Sequence, residues 1–394
     1  MREIGELRRG MCKNDKRAAQ WAEDKDGTDM ASLPLIDISP FLDPSTSAEN
    51  LQSTADKIHE ACLKAGFFYL TGHGVPLSDQ DSIISTTRSF LEDGTEAEKE
   101  ELSITKNDHA RGYQRKGDNV TQGKPDWHEA IDLYAPSPFG DQEGKDQVLG
   151  GHNKFPSRPV NFRSVVENWV DRMCSLGLVV MRATAMGLGL TSDQTETYSI
   201  RFGTHSGQLN HLFISFLPKQ TYHWIYIADY HLCFIFSGFC DVLVTPLYHP
   251  HTMAYPAVHI RGSLQVYVAR EEGGHGQEPE YHWIEANPVE GAFGNPTSPS
   301  IIISEFENLR LTHPLFFTGQ YRRNVGDMDN GLYKATLHRV IHKSDNYRVS
   351  VPFFYEPAFD AIVSPLPAAI ALQERLQGVE KGGGGDRQAT HQVW

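Results

Sequence analysis

Residues 334–354 read KATLHRVIHKSDNYRVSVPFF, and this stretch decides the fold of the 394-residue chain. Around Arg348, the apolar residues Tyr347, Val349 and Val351 alternate with Arg348 and Ser350, which is the two-residue period of a strand. Arg348 and Ser350 therefore fall on one face. A planar guanidinium holds a carboxylate through two parallel hydrogen bonds, and a hydroxyl two residues along adds a third. Lys343, Ser344, Asp345 and Asn346 are turn chemistry, which predicts a hairpin of 336–341 and 347–354. In that hairpin His338 and Arg348 stand on neighbouring strands, a metal-ligand candidate beside a carboxylate-binding pair. The plainer alternative makes both of them surface residues of an edge hairpin.

The run resembles the C-terminal signature of the non-haem iron, 2-oxoglutarate-dependent dioxygenases of the plant and fungal type, the group that includes isopenicillin N synthase. The resemblance implies that His338, in TLHRV, is the distal iron ligand, and that Arg348 and Ser350, in YRVS, bind the far carboxylate of 2-oxoglutarate. Two N-terminal blocks are similar to the same family: LPLIDISPF at 33–41 and ACLKAGFFYLTGHGVP at 61–76. Their physics is legible without it. Residues 55–65 have helical periodicity, Gly66 sits where a C-cap glycine belongs, and 67–70 form an apolar strand. His73, between Gly72 and Gly74, reads as a turn residue rather than a ligand. A third block, RGYQRKGDNVTQGKPDWHEAIDLY at 111–134, resembles the stretch that lies beside the substrate pocket in relatives. Tyr113 and the run Asp126, Trp127, His128 and Glu129 are pocket candidates on that resemblance, and a solvated loop leading into a strand or helix is the alternative.

Iron that activates dioxygen beside 2-oxoglutarate is held by two histidines and one carboxylate on one face, leaving positions open for co-substrate and oxygen. In the family two of these ligands come as H-x-D on one strand. None of the 18 histidines is followed two residues later by Asp or Glu. YSIRFGTHSGQLNHL at 198–212 resembles the strand that precedes that motif, and RGSLQVYV at 261–268 resembles the strand that follows it. Between them, 213–260 matches nothing in the family. His251-Thr252-Met253 comes nearest to the expected motif, with a thioether where a hard ferrous ion wants a carboxylate, so His251 is the second metal-ligand candidate. A second interruption, 294–323, separates WIEANPVEGAF at 283–293 from Asn324-Val325-Gly326-Asp327-Met328. Both stretches lack coherent periodicity, and translated introns or wrong exon boundaries are the simplest account of them.

The expected architecture is mainly β with flanking helices: a double-stranded β-helix, or jelly roll, with atypical insertions at 213–260 and 294–323. The expected organisation is a disordered extension over 1–29, an N-terminal dioxygenase domain over 30–135 and a helical segment over 136–200. The jelly roll follows over 201–366, and a C-terminal helix and disordered tail over 367–394. Within the helical segment, Phe162, Val165, Val166, Trp169, Met173, Leu176, Val179 and Val180 recur at helical spacing, which predicts one long amphipathic helix between Pro159 and Gly189. A formal charge of −14 argues against a nucleic-acid footprint, for which a basic stripe is expected. Five unpatterned cysteines fit a reducing compartment, and 1–29 lacks the apolar core of a secretory signal, so the expected location is the cytoplasm. Residues 224–247 are apolar, but Asp229, His231 and Asp241 make membrane insertion costly.

The resemblance implies Fe(II) as cofactor with 2-oxoglutarate and O2 as co-substrates. It also implies a small organic substrate, hydroxylation or desaturation as the outcome, and a monomeric enzyme. The missing H-x-D keeps two alternatives open. One is a non-catalytic binding relative or inactive product of a mis-spliced gene, and the other is an isopenicillin N synthase-like oxidase that does not use 2-oxoglutarate.

Overall fold

A computed structural model describes residues 33–104, 111–118, 120–121, 124–125, 128–135, 152–191, 211–217, 223–225, 241–244, 264–269, 281–286, 301–304, 333, 338–342, 348–354, 362–363, 366–376 and 391–392. At His338, Arg348 and Ser350 the description is of the backbone alone.

The first helix, α1 (Ala48–Lys64), starts at Ser47, whose hydroxyl accepts the Asn50 N–H at 3.3 Å. It ends as the sequence predicts. The N–H groups of Ala65 and Gly66 both return to the Ala61 carbonyl, and Gly66 at φ 63° turns the chain into β2 (Phe67–Thr71). Helices α2 (Leu77–Asp93), α3 (Glu96–Glu101) and α4 (Phe162–Gly187) follow, with α5 (Pro367–Leu376) near the C-terminus. The long helix predicted between Pro159 and Gly189 is α4, and its buried residues include Phe162, Val166, Trp169, Met173, Leu176 and Val180. Helices α1 and α4 pack so closely at Gly187 that a Cβ there would lie 2.7 Å from the Ala55 carbonyl oxygen.

The strands form two main sheets. The eight-stranded sheet contains β1 (Leu35–Asp37), β2, β3 (Gly112–Gln114), β6 (Glu129–Tyr134), β7 (His211–Leu217), β9 (Asp241–Val244), β12 (Ile301–Ser304) and β14 (Arg348–Phe354). Their order is β1-β2-β12-β9-β14-β7-β6-β3. The four-stranded sheet contains β8 (His223–Ile225), β10 (Leu264–Ala269), β11 (Tyr281–Glu285) and β13 (His338–His342), in the order β11-β10-β13-β8. Two short ladders complete the set: β4 (Val120–Thr121) with β5 (Lys124–Pro125), and β15 (Ile362–Val363) with β16 (His391–Gln392). From β7 to β10 and from β11 to β14 the chain alternates between the main sheets, which is jelly-roll winding.

That winding corrects one expectation. His338 and Arg348 do not stand on paired strands of a hairpin, because β13 pairs with β10 and β8 while β14 pairs with β7 and β9. Turn residues mark where a chain reverses; they do not say whether it returns to the same sheet or crosses to the facing one. Short runs within 213–260 and 294–323 are described as strands. The runs Asp241–Val244 and Ile301–Ser304, rich in β-branched residues, form β9 and β12 and pair with each other.

β2 shows how the layers are arranged. All five of its residues are buried. Phe68 and Leu70 join the cluster that contains Trp169, Phe162 and Met173 of α4. Phe67 and Tyr69 join a second cluster with Val266, Val268 and Ile284 of the four-stranded sheet. One face of the large sheet is thus covered by helices and the other meets the small sheet, with each fully buried Phe or Leu contributing about 1.5–3 kcal/mol. Among the described residues no helix is long and apolar enough to cross a membrane.

Candidate active site in the seam between the sheets

Strand pairing assigns residues to faces, because residues directly opposite each other across a ladder share a side of the sheet. In the small sheet, Ile284 pairs with Val266 and Val266 with His338. Ile284 and Val266 are buried in the seam, so His338 occupies a row on the seam face. In the large sheet, Val351 and Phe353 belong to the helix-side cluster, which leaves Arg348 and Ser350 in the alternate set of β14. The trace through the other strands agrees. Tyr69 pairs with Ile302, Ile302 with Leu243 and Leu243 with Pro352, and Tyr69 lies in the seam cluster. His338 and the Arg348–Ser350 pair therefore stand on different sheets, each in a row that faces the seam.

The pocket candidates of the third block separate by the same rule. Tyr113 and Glu129 take the helix side with Ile131 and Leu133. There the Tyr113 hydroxyl donates to Glu129 Oε2 at 2.7 Å, and Lys99 Nζ of α3 donates to the same oxygen at 2.7 Å and to the Leu91 carbonyl at 2.8 Å. Burial, and then the bond to Glu129, pushes the Tyr113 phenol well above its ordinary range. These groups tie α3 to the sheet and are remote from the seam face. Arg111, also buried, donates to Asn153 Oδ1 at 2.7 Å and to the Ala135 carbonyl at 2.9 Å; its pKa is lowered to about 10 by burial. Asn153 in turn binds both the N–H and the carbonyl of Tyr134, which clamps the end of β6.

The seam side of the same strands carries residues that the sequence reading passed over. Gln114 pairs with Ala130, Ala130 with Ser215 and Ser215 with Ser350, a continuous row over four strands. One step along β6, Asp132 is 4% exposed and accepts a hydrogen bond from Gln114 Nε2. The signal was present in EAIDLY, where Ala130 and Asp132 alternate with Ile131 and Leu133. His73 is the turn residue expected, its Nδ1 accepting the Val75 N–H at 3.1 Å between glycines at φ 65° and 71°. Asp126, Trp127 and His251 lie outside the described residues.

A facial iron triad needs two histidines and a carboxylate, and His338 is the donor expected from β13. Among the described residues there is no group of three or more His, Cys, Asp or Glu able to hold a metal ion.

Residues 33–158 match the family described as non-haem dioxygenase in morphine synthesis, N-terminal. Homoarginine-6-hydroxylase 2-ODD-233 of Oryza sativa subsp. japonica is 31% identical over 378 residues, covering 90% of this chain and 94% of that protein. The 2-oxoglutarate-dependent dioxygenase caaD of Aspergillus niger is 27% identical, over 84% of this chain and 85% of its own length. A full-length Neurospora crassa protein, crystallised in complex with alpha-KG and thymine, shares the fold, with a TM-score of 0.59 at 20% identity, over 87% of this chain and 91% of that one. Relatedness along nearly the whole length, on a jelly roll that such enzymes share, places this chain in the Fe(II)- and 2-oxoglutarate-dependent dioxygenases, whose members use Fe(II), 2-oxoglutarate and O2.

Proposed function

We propose that this dioxygenase binds 2-oxoglutarate in the seam between its two sheets and oxidises a small organic metabolite there, by hydroxylation or desaturation. Arg348 and Ser350 anchor the far carboxylate, the guanidinium by two hydrogen bonds and the hydroxyl by one. His338 is the iron ligand of β13, and His251 is the candidate for a second. Iron, when bound, supplies the oxygen chemistry; the chain's own residues orient the co-substrate and exclude water. The observation that carries the reading is the pair of rows facing the seam, His338 on one sheet and Arg348 with Ser350 on the other. Packed sheets lie about 10 Å apart, which suits a five-carbon diacid reaching from one to the other. The relatives' homoarginine hydroxylation makes a cationic amino acid the first substrate to try.

The lack of an H-x-D pair favours a second reading, a relative that keeps the roll as a binding module without iron. An isopenicillin N synthase-like oxidase that does without 2-oxoglutarate is the third, and retention of Arg348 and Ser350 weighs only weakly against it, because that pair persists in some such oxidases. Anaerobic titration of the full chain with Fe(II) and 2-oxoglutarate separates these. The expected outcome is no visible charge-transfer band for the chain as it stands, and a clear band once 213–260 and 294–323 are replaced by correctly spliced sequence. A band from the unaltered chain overturns the incomplete iron site and makes His251 the first residue to substitute.

A further inference from the structure

We infer that His223 and His342, directly opposed on β8 and β13, form a metal site separate from that of His338, one that takes a divalent transition ion of the imidazole-preferring class such as zinc or copper. The inference goes beyond the oxygenase reading and does not depend on it. It rests on strand register. β8 and β13 pair antiparallel, with Val340 opposite Ile225, Ile341 opposite Trp224 and His342 opposite His223. Along β13, His338, Val340 and His342 alternate with Arg339 and Ile341. His338 belongs to the row of Val266 and Ile284 on the seam face, so Val340 and His342 take that face as well. Ile225 and His223 share it across the ladder.

Directly opposed residues of an antiparallel pair have Cβ atoms about 4.5–5.5 Å apart. Two imidazoles at that separation suit one ion bound about 2.0–2.1 Å from a nitrogen of each. Neutral imidazole is the commonest protein ligand for such ions, and the affinity of nitrogen sites for first-row divalent metals peaks at copper. His338 is four residues from His342 along one strand, roughly 13 Å at the ordinary rise per residue, so the two do not share an ion. The adjoining row, Ile225 and Val340, is apolar and supplies no competing donor. The site has a structural consequence. β8 is three residues long and ends the order of the small sheet, paired there with β13. An ion shared by His223 and His342 cross-links that short ladder, and binding that needs both strands in place stabilises the roll.

The test uses the full chain and Cu(II) alone, without 2-oxoglutarate, followed by calorimetry for affinity and by electron paramagnetic resonance for the number of bound nitrogens. Wild type is expected to bind its first Cu(II) through two imidazole nitrogens. His223→Gln and His342→Gln, which keep a polar side chain and remove the donor, are each expected to weaken that binding by at least about tenfold. The double variant should be little worse than either single one, because each alone already breaks the pair. His338→Gln should leave the affinity as it is. Zn(II) should raise the melting temperature of wild type and not that of His223→Gln. If His342→Gln does not fold, His223→Gln, on the end strand, decides the matter. Wild-type affinity in folded His223→Gln overturns the site. So does an equal, small loss in all three single variants, which is the mark of an adventitious ion only, spread over the 18 histidines. A loss in His338→Gln as large as in the other two also overturns it, since the ion would then belong to His338.

Discussion

On the helix side of the eight-stranded sheet, β2, β6 and β14 present Phe68, Leu70, Ile131, Leu133, Val351 and Phe353 to a cluster that includes Trp169. The seam side of the same three strands carries Phe67 and Tyr69 at one end, and Asp132 and the Arg348–Ser350 row toward the other. The two faces differ in kind. The polar groups of the helix side are matched among themselves, as Lys99, Tyr113 and Glu129 are, whereas those of the seam are distributed over strands that are far apart in sequence. The face that closes its hydrogen bonds within the fold is read by stability, and the face proposed to hold the co-substrate is read by binding.

The largest effect that tests this difference comes from Trp169. Its side chain is fully buried, and its indole N–H has no hydrogen-bond partner among the described residues, so its contribution is packing. Trp169→Ala is expected to lower the unfolding free energy by about 3–5 kcal/mol in denaturant melts. The folded fraction should keep the wild-type affinity for 2-oxoglutarate. If that affinity falls as well, the helix side and the seam are not separable.

Arg348→Ala is the counterpart on the other face. On the proposed anchoring it removes two parallel hydrogen bonds to the far carboxylate of 2-oxoglutarate, with an expected loss of about 2–5 kcal/mol of binding free energy. Calorimetric titration of 2-oxoglutarate reads this directly. Stability should change by less than in Trp169→Ala, and a variant that loses stability while binding 2-oxoglutarate normally would move Arg348 from the ligand to the core.

How much of this division the sequence revealed depends on the range of the signal. The helical repeat of Phe162, Val166, Trp169 and Met173 predicts α4 and its buried side, because a 3.6-residue period is local. The alternation of Arg348 and Ser350 with Val349 and Val351 likewise assigns two faces to β14. Partnership is not local. The turn chemistry at 343–346 suggested a hairpin, and only the pairing of β13 with β10 and β8 puts His338 on the facing sheet. The seam side of β6 escaped for the same reason: alternation in EAIDLY says that Ala130 and Asp132 are opposite Ile131, but nothing within β6 says that the row of Ala130 leads through Ser215 to Ser350. The absent H-x-D was legible at once, since it is a statement about two residues on one strand.

The smallest expected effect probes the helix side by pH. His59 of α1 forms a 2.8 Å hydrogen bond between Nδ1 and the Tyr333 hydroxyl, five residues before His338, and the two rings meet edge to face with centroids 5.5 Å apart. Burial holds the His59 pKa below its ordinary value, against the opposing pull of Asp56. In the unfolded chain this imidazole titrates near about 6.5, so on acidification the unfolded state takes up the proton first. Stability from this group is therefore intact above that pH and falls as the pH drops through it toward the lower folded value. Thermal melts of wild type between pH 7.5 and pH 5.5, on the order of one unit either side of that value, should show this loss, and a His59→Gln variant should lack that component of it. Because the pair belongs to the helix side, the variant should bind 2-oxoglutarate as wild type does across the same range. A change in 2-oxoglutarate affinity that tracks His59 would instead mean that the approach to β13 couples the two faces.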